Sequence, residues 1–139
     1  MLTGKKIVLG VSGGIAAYKM ANVASMLSKL HADIHVVMTE NATHFITPET
    51  FEVLTGNHCY TDTFDRCMEL HVPHIALGTQ ADAILIAPAS ADVVGKIANG
   101  IADDMLTTCV LPATCPVMLA PSMNVHMYEN PIVQDNMKR

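Results

Sequence analysis

Charge is what this sequence has least of. Only 15% of its 139 residues are Asp, Glu, Lys or Arg, while half are hydrophobic; an average soluble domain has roughly a quarter charged. A surface with so little charge to cover it is expected to be covered by another subunit, so the composition points to an oligomer. Basic residues are scarcer still, 8 Lys and Arg against 13 Asp and Glu for a net charge of −5. No basic stripe is present to neutralise nucleic-acid phosphates or an anionic lipid surface, and neither partner is expected. Long apolar runs are missing too, and no span approaches the roughly twenty residues that a membrane helix needs. Lys5-Lys6 ahead of the run Ile7 to Ala17 has the outline of a secretory signal, but Gly10, Ser12, Gly13 and Gly14 break that run, so a signal is rejected. The four cysteines, Cys59, Cys67, Cys109 and Cys115, form no CxxC pair and no disulfide framework. Free thiols in a reducing, cytoplasmic compartment are the expectation.

What is present is an alternation of short apolar strands and helical patterns on the scale of one domain. Lys6 to Val11 is a β-branched run closed by a glycine turn, as in a buried parallel strand. From Ile15 the pattern turns helical, with Val23, Met26, Leu27 and Leu30 forming an apolar stripe. Asp33 to Met38 reads as the next strand, followed by the polar turn Thr39-Glu40-Asn41. Thr47-Pro48-Glu49 starts a helix that Gly56-Asn57 stops. Residues 57–73 have no convincing period and read as a loop with at most a short strand. His74 to Gln80 is a turn or helix, and Ala83 to Pro88 a central strand that Pro88 closes because it has no N–H for the ladder. Ala91 to Asn99 and Asp103 to Leu111 are helices, and Pro116 to Ala120 the last strand. This order describes a single-domain α/β protein, a three-layer open parallel sheet of Rossmann or flavodoxin-like kind, with its ligands beyond the strand C-termini.

Three turns at those termini carry candidate chemistry. Ser12-Gly13-Gly14 is neither a GxGxxG fingerprint nor a GxxxxGK[ST] loop, yet it leaves N–H groups free for a phosphate and adds a Ser12 hydroxyl. In Ala89-Ser90-Ala91-Asp92-Val93, short side chains let a ligand approach the start of a helix; the same Ser90 also suits an ordinary cap. Asn124, after the last strand, either recognises a carboxylate or amide or caps the following helix, and the two roles are compatible. Cys67-x3-His71-x2-His74, with Asp62, Asp65 or Glu69 nearby, lacks the spacing of a common zinc module. No metal is expected, and His74 remains either a surface histidine or a proton acceptor.

Together, Ser12-Gly13-Gly14-Ile15-Ala16-Ala17-Tyr18-Lys19, His74-Ile75-x-Leu77, Pro88-Ala89-Ser90-Ala91-Asp92-Val93 and Pro121-Ser122-Met123-Asn124-x-x-Met127-Tyr128 resemble, in order and over nearly the whole chain, the motifs of the flavin-dependent cysteine decarboxylases. The resemblance implies a homotrimer, or a multiple of trimers, with FMN held between subunits. It implies oxidation of a substrate thiol to a thioaldehyde, loss of carbon dioxide, and return of the electrons to the enethiol. The substrate it implies is phosphopantothenoylcysteine of coenzyme A synthesis, with a peptidyl cysteine as the alternative. His74 would be the base and Asn124 the carboxylate holder, with Met123 and Met127 lining the substrate pocket. FMN would rest on Ser12, Gly13, Gly14, Ile15, Thr39, Ser90, Ala91, Asp92, Val93 and Ser122. Such enzymes usually carry Asn-Thr where this chain has Asp92-Val93, which adds a carboxylate to the flavin shelf, and Trp where Tyr128 stands. They also place a cysteine proton donor in a clamp after the last motif, whereas this sequence ends at Arg139. Residues 1–139 are therefore expected to be a flavoprotein domain without its C-terminal clamp. The alternative of another class is a flavin-binding regulatory subunit that does no chemistry.

Overall fold

The computed structural model describes residues 2–62 and 73–139, with 73–76 described by backbone alone. Strands β1 (Lys6–Val11), β2 (Asp33–Met38), β3 (Ala83–Ala89) and β4 (Val117–Pro121) form one parallel sheet in the order β2-β1-β3-β4. Helices α1 (Met20–Lys29), α2 (Pro48–Thr55), α3 (Pro73–Gln80), α4 (Ala91–Ala98), α5 (Met105–Val110), α6 (Val125–Tyr128) and α7 (Pro131–Lys138) connect and cover it, and 3₁₀ turns at Ile15–Lys19 and Asn41–His44 follow the first two strands.

The period of two along each strand divides the core between the two faces. Leu9, Val11, Ile34, Val36 and Met38 pack with Ala24 of α1 and Phe51 of α2 on one side. Val8, Ile84 and Ile86 pack with Leu77 of α3, Val93 and Val94 of α4, and Leu106 and Cys109 of α5 on the other. This is the three-layer α/β sheet that the alternation of patterns describes. No helix among the described residues is long and apolar enough to cross a membrane.

Several local expectations change. The α1 stripe is rotated, because the chain begins its helical course as a 3₁₀ turn and enters α1 out of phase. Met20, Ala24 and Leu27 meet the sheet, whereas Met26 and Leu30 are exposed. Pro88 does not end β3. The strand runs through it to Ala89, and the pairing with β4 shifts register between Ile86 and Ala89, where the missing N–H would have fallen. Among the described residues, the loop after Gly56 supplies one bridge, Tyr60 to Val37 on the outer edge of β2. Asn130-Pro131, a cap followed by a first-position proline, opens α7, a helix the sequence reading passes over. Beside α5 the approach is close: a Cβ built on Gly78 of α3 would lie 2.1 Å from the Cys109 carbonyl oxygen. Burial in that contact, helped by the nearby Asp104 carboxylate, pushes the Cys109 thiol up to about 12, so it stays protonated and inert.

Candidate functional site

Parallel strands bring their C-terminal turns to one edge, and here three of them share one cleft of about 380 Å³, within the range of roughly 300–1,000 Å³ usual for small-ligand sites. Gly13 comes from the turn after β1, Thr39, Glu40 and Asn41 from the turn after β2, and Ser90, Ala91, Asp92 and Val93 from the turn after β3. Lys96, Asp103, Asp104 and Met127 complete the lining. Gly13 is required by contact: a Cβ there would lie 2.5 Å from Asn41 Cβ and 3.1 Å from the Asn41 carbonyl carbon. A side chain would push the first two turns apart.

Ser12 is turned inward. It is fully buried, its hydroxyl donates to the Pro88 carbonyl, and its Oγ accepts the Ser90 N–H at 2.9 Å. The hydroxyl expected to reach a ligand instead ties the end of β1 to the start of α4. Removing it leaves a carbonyl and an N–H short of a partner, so Ser12→Ala should lower stability by about 1–3 kcal/mol and loosen the α4 cap. Urea unfolding of the parent and variant checks the first effect. Ligand affinity measured well below the transition checks the second.

Free hydroxyl protons are found elsewhere. Thr39 Oγ1 accepts the Ala42 N–H at 3.2 Å, and Ser90 Oγ accepts the Val93 N–H at 3.3 Å as the α4 cap. Neither hydroxyl has an acceptor for its own proton among the described residues. The N–H groups of Gly13, Gly14, Ala91 and Asp92 likewise have no acceptor among the described residues. Unpaired N–H groups at the start of α4 and hydroxyl donors beside them suit an anion or the polar rim of a planar heterocycle.

Gly14, Ile15, Ser122, Met123 and Asn124 lie at the same edge but outside the lining of this cleft. Ile15 is 80% exposed, and a Cβ on Gly14 would meet only Pro88, at 3.9 Å, so this face of the turn is open. Ser122 is exposed and tied by its N–H to the Ala89 carbonyl at 3.1 Å. Met123 is half-buried beside it. Asn124 caps α6, its Oδ1 accepting the His126 N–H at 2.8 Å. That contact uses the amide oxygen alone and leaves the NH₂ donor without an acceptor among the described residues. His74 lies in the first turn of α3, and its side chain falls outside the described residues. Cys67, Asp65, Glu69 and His71 fall outside them as well. The backbone still locates His74: Asp82 is pinned to the start of β1 by Lys6 N–H to Asp82 Oδ2 and by Asp82 N–H to Lys6 O, both at 2.7 Å. α3 runs back from there for eight residues, about 12 Å at helical rise. Its N-terminal turn therefore lies toward the edge that holds the cleft.

Lys96, Asp103 and Asp104 are lining residues that the sequence reading passes over. Asp104 is the α5 cap in a capping box with Thr107, and Lys96 bridges Asp92 and Asp103 at 3.2 Å each. An Asp–Lys pair at i, i+4 ordinarily reads as a solvated helix surface, so only the fold discloses that it faces a cleft.

The family model for flavoproteins matches residues 1–139. The chain is 50% identical over 136 residues to the coenzyme A biosynthesis bifunctional protein CoaBC of Bacillus subtilis, covering 98% of this chain and 34% of that protein. It thus spans about a third of the length of the curated relatives it matches. Among solved structures, it superposes on the FMN-dependent cysteine decarboxylase SpaF with a TM-score of 0.92 at 37% identity, covering 99% of this chain and 79% of the other. A mutant PPC decarboxylase complexed with pantothenoylaminoethenethiol superposes with a TM-score of 0.81 at 30% identity, covering 96% of this chain and 75% of that one.

Proposed function

The chain belongs to the flavoprotein family, and from that membership we propose that it binds FMN and decarboxylates 4′-phosphopantothenoylcysteine to 4′-phosphopantetheine in coenzyme A biosynthesis. The observation that carries the reading is the cleft itself, in which turns from β1, β2 and β3 present unpaired N–H groups and free hydroxyl protons at the strand ends. Those donors fit the polar groups of FMN. Gly13, Thr39 and Ser90 through Val93 would hold it, and bound FMN would supply two-electron oxidation of the substrate thiol and the later return of those electrons.

The chain's own residues do the rest. Asn124, fixed by its cap contact, offers its NH₂ to the substrate carboxylate and orients it. Release of carbon dioxide needs no acid, since the neighbouring oxidised carbon–sulfur group takes up the electron pair. His74, on the first turn of α3, accepts the proton leaving the substrate. Met127 lines the cleft as an apolar wall and excludes water from one side of it. The domain proposal is that residues 1–139 form this flavin-binding unit.

Assembly is part of the same proposal. Ile15, Tyr18, Met118, Val125 and Tyr128 are all exposed, and the outer edge of β4 has no strand partner among the described residues. A homotrimer, or a multiple of it, would cover this surface near the cleft, in keeping with a cytoplasmic enzyme of low charge.

Purified protein incubated with excess FMN and passed through gel filtration should emerge yellow, at a light-scattering mass of three chains or a multiple. Given 4′-phosphopantothenoylcysteine, it should release carbon dioxide. A folded sample that emerges colourless sinks the FMN reading. A yellow sample that leaves this substrate untouched but decarboxylates a peptide ending in cysteine moves the substrate to the peptidyl class.

A further inference from the structure

The cleft is acidic for a place that is to hold a phosphate-bearing ligand. Asp92 stands in the first turn of α4, and Glu40, Asp103 and Asp104 share the lining. Lys96 is the cation among the described lining residues. Its Nζ lies 3.2 Å from Asp92 Oδ2, one turn back on α4, and 3.2 Å from Asp103 Oδ1, on the segment leading into α5. The lysine side chain is 23% exposed, against 70% for Asp92 and 55% for Asp103, so its stem is packed while its Nζ reaches both carboxylates. Burial works against its charge, but the hydrogen bonds it donates to Asp103 and Asp92, together with their negative charges, outweigh burial and raise its pKa. The amine is therefore held, and held charged, beside the carboxylate that most directly opposes an anion at the α4 start.

We propose that Lys96 is a positioning residue for the anionic end of the flavin: by neutralising Asp92 from between two carboxylates, it sets the cleft's preference for FMN over unphosphorylated riboflavin. This rests on the FMN reading of the cleft. With the nearest carboxylate, Asp92, offset in this way, the Ala91 and Asp92 N–H groups and the helix dipole favour an anion at the start of α4 more than the acidic lining alone would allow. Without Lys96 the same position carries an uncompensated negative charge, which opposes the phosphate and leaves the neutral riboflavin almost unaffected. Lys96 acts through Asp92, so neutralising Asp92 by another route should replace it.

The test is a fluorescence titration of the flavin-free protein with FMN and, separately, with riboflavin, at low and high salt. Lys96→Met should weaken FMN by about tenfold, the size of one poorly screened charge near a protein surface, and change riboflavin far less. Adding Asp92→Asn to Lys96→Met should restore FMN binding, and the Lys96→Met deficit should shrink at high salt. A merely structural lysine would weaken both flavins alike, and that result overturns the proposal. So does failure of Asp92→Asn to rescue, which would mean that Lys96 contacts the ligand itself. If Lys96→Met does not fold, Asp92→Asn alone decides: it should tighten FMN and leave riboflavin unchanged, and an unchanged FMN affinity overturns the proposal. Parent protein that binds both flavins without preference refutes the role of Lys96 while leaving flavin binding intact. Parent protein that binds neither refutes the FMN reading and this inference with it.

Discussion

Replacing His74 with asparagine should leave the protein yellow and trimeric while slowing oxidation of the substrate thiol by roughly 10²–10⁴-fold, the range by which a positioned general base accelerates proton transfer. His74 lies in the first turn of α3, an element separate from the turns that line the flavin cleft. Its loss should therefore affect proton movement and leave the ligand-binding donors in place. Stopped-flow absorbance follows bleaching of the flavin on mixing with 4′-phosphopantothenoylcysteine, and the variant should keep only a small part of the parent rate. A colourless or unfolded variant would instead make His74 a structural residue, and an unchanged rate would move the base elsewhere.

Of the eight glycines in the chain, Gly78 should tolerate alanine least, Gly78→Ala costing about 3 kcal/mol, the upper end of ordinary overpacking. The added carbon would meet the Cys109 carbonyl oxygen at 2.1 Å and the Cys109 carbonyl carbon at 3.2 Å. Both are backbone atoms in the last turn of α5, which cannot swing aside as a side-chain tip can. α3 and α5 would have to separate, and the buried Leu77, Leu106 and Cys109 between them and the sheet would lose packing together. By contrast, Gly10→Ala meets mainly the Cδ1 of Leu106, at 2.5 Å, the flexible end of a side chain, and should cost less. Urea unfolding should give a markedly lower midpoint for Gly78→Ala, with the slope retained. Equal midpoints for the two variants would contradict the argument.

The parts of the fold that were legible in the sequence are those in which local pattern and tertiary role coincide. β1 and β2 are short apolar runs bounded by Gly-rich or polar turns, and their limits, Lys6–Val11 and Asp33–Met38, match the structure. Thr47-Pro48 and Gly56 mark α2 by backbone chemistry alone, Gly56 lying at a φ of 75°. What was not legible is what depends on phase or on distant partners. The rotation of α1 follows from a 3₁₀ turn that an apolar count cannot detect. Ser12 reads as a ligand donor because nothing in the sequence discloses that Pro88 and Ser90, 76 and 78 residues away, take up its hydroxyl. Gly13, Thr39 and Ser90 through Val93 come together because parallel strands send their turns to a common edge, whereas Met127, expected in the substrate pocket, lines the same cleft. Lys96 was not legible, since its second partner, Asp103, returns only after the turn at Gly100, whose φ is 71°.

The place of β1 in the sheet has a consequence for how the chain is made. β1 is synthesised first yet lies second in the row, with β2 on one side and β3 on the other. Its pairing with β2 becomes available as soon as Met38 has emerged. The other edge, from Ile7 to Gly10, waits for Ala83 to Ile86, 76 residues later. At about 5–20 residues per second this is roughly 4–15 s of translation. Through that interval the nascent chain exposes the backbone edge of a largely apolar strand, with the Ser12 hydroxyl still without the Pro88 carbonyl that will receive it. A pause or truncation before residue 86 would prolong that exposure, and one after Pro88 would not.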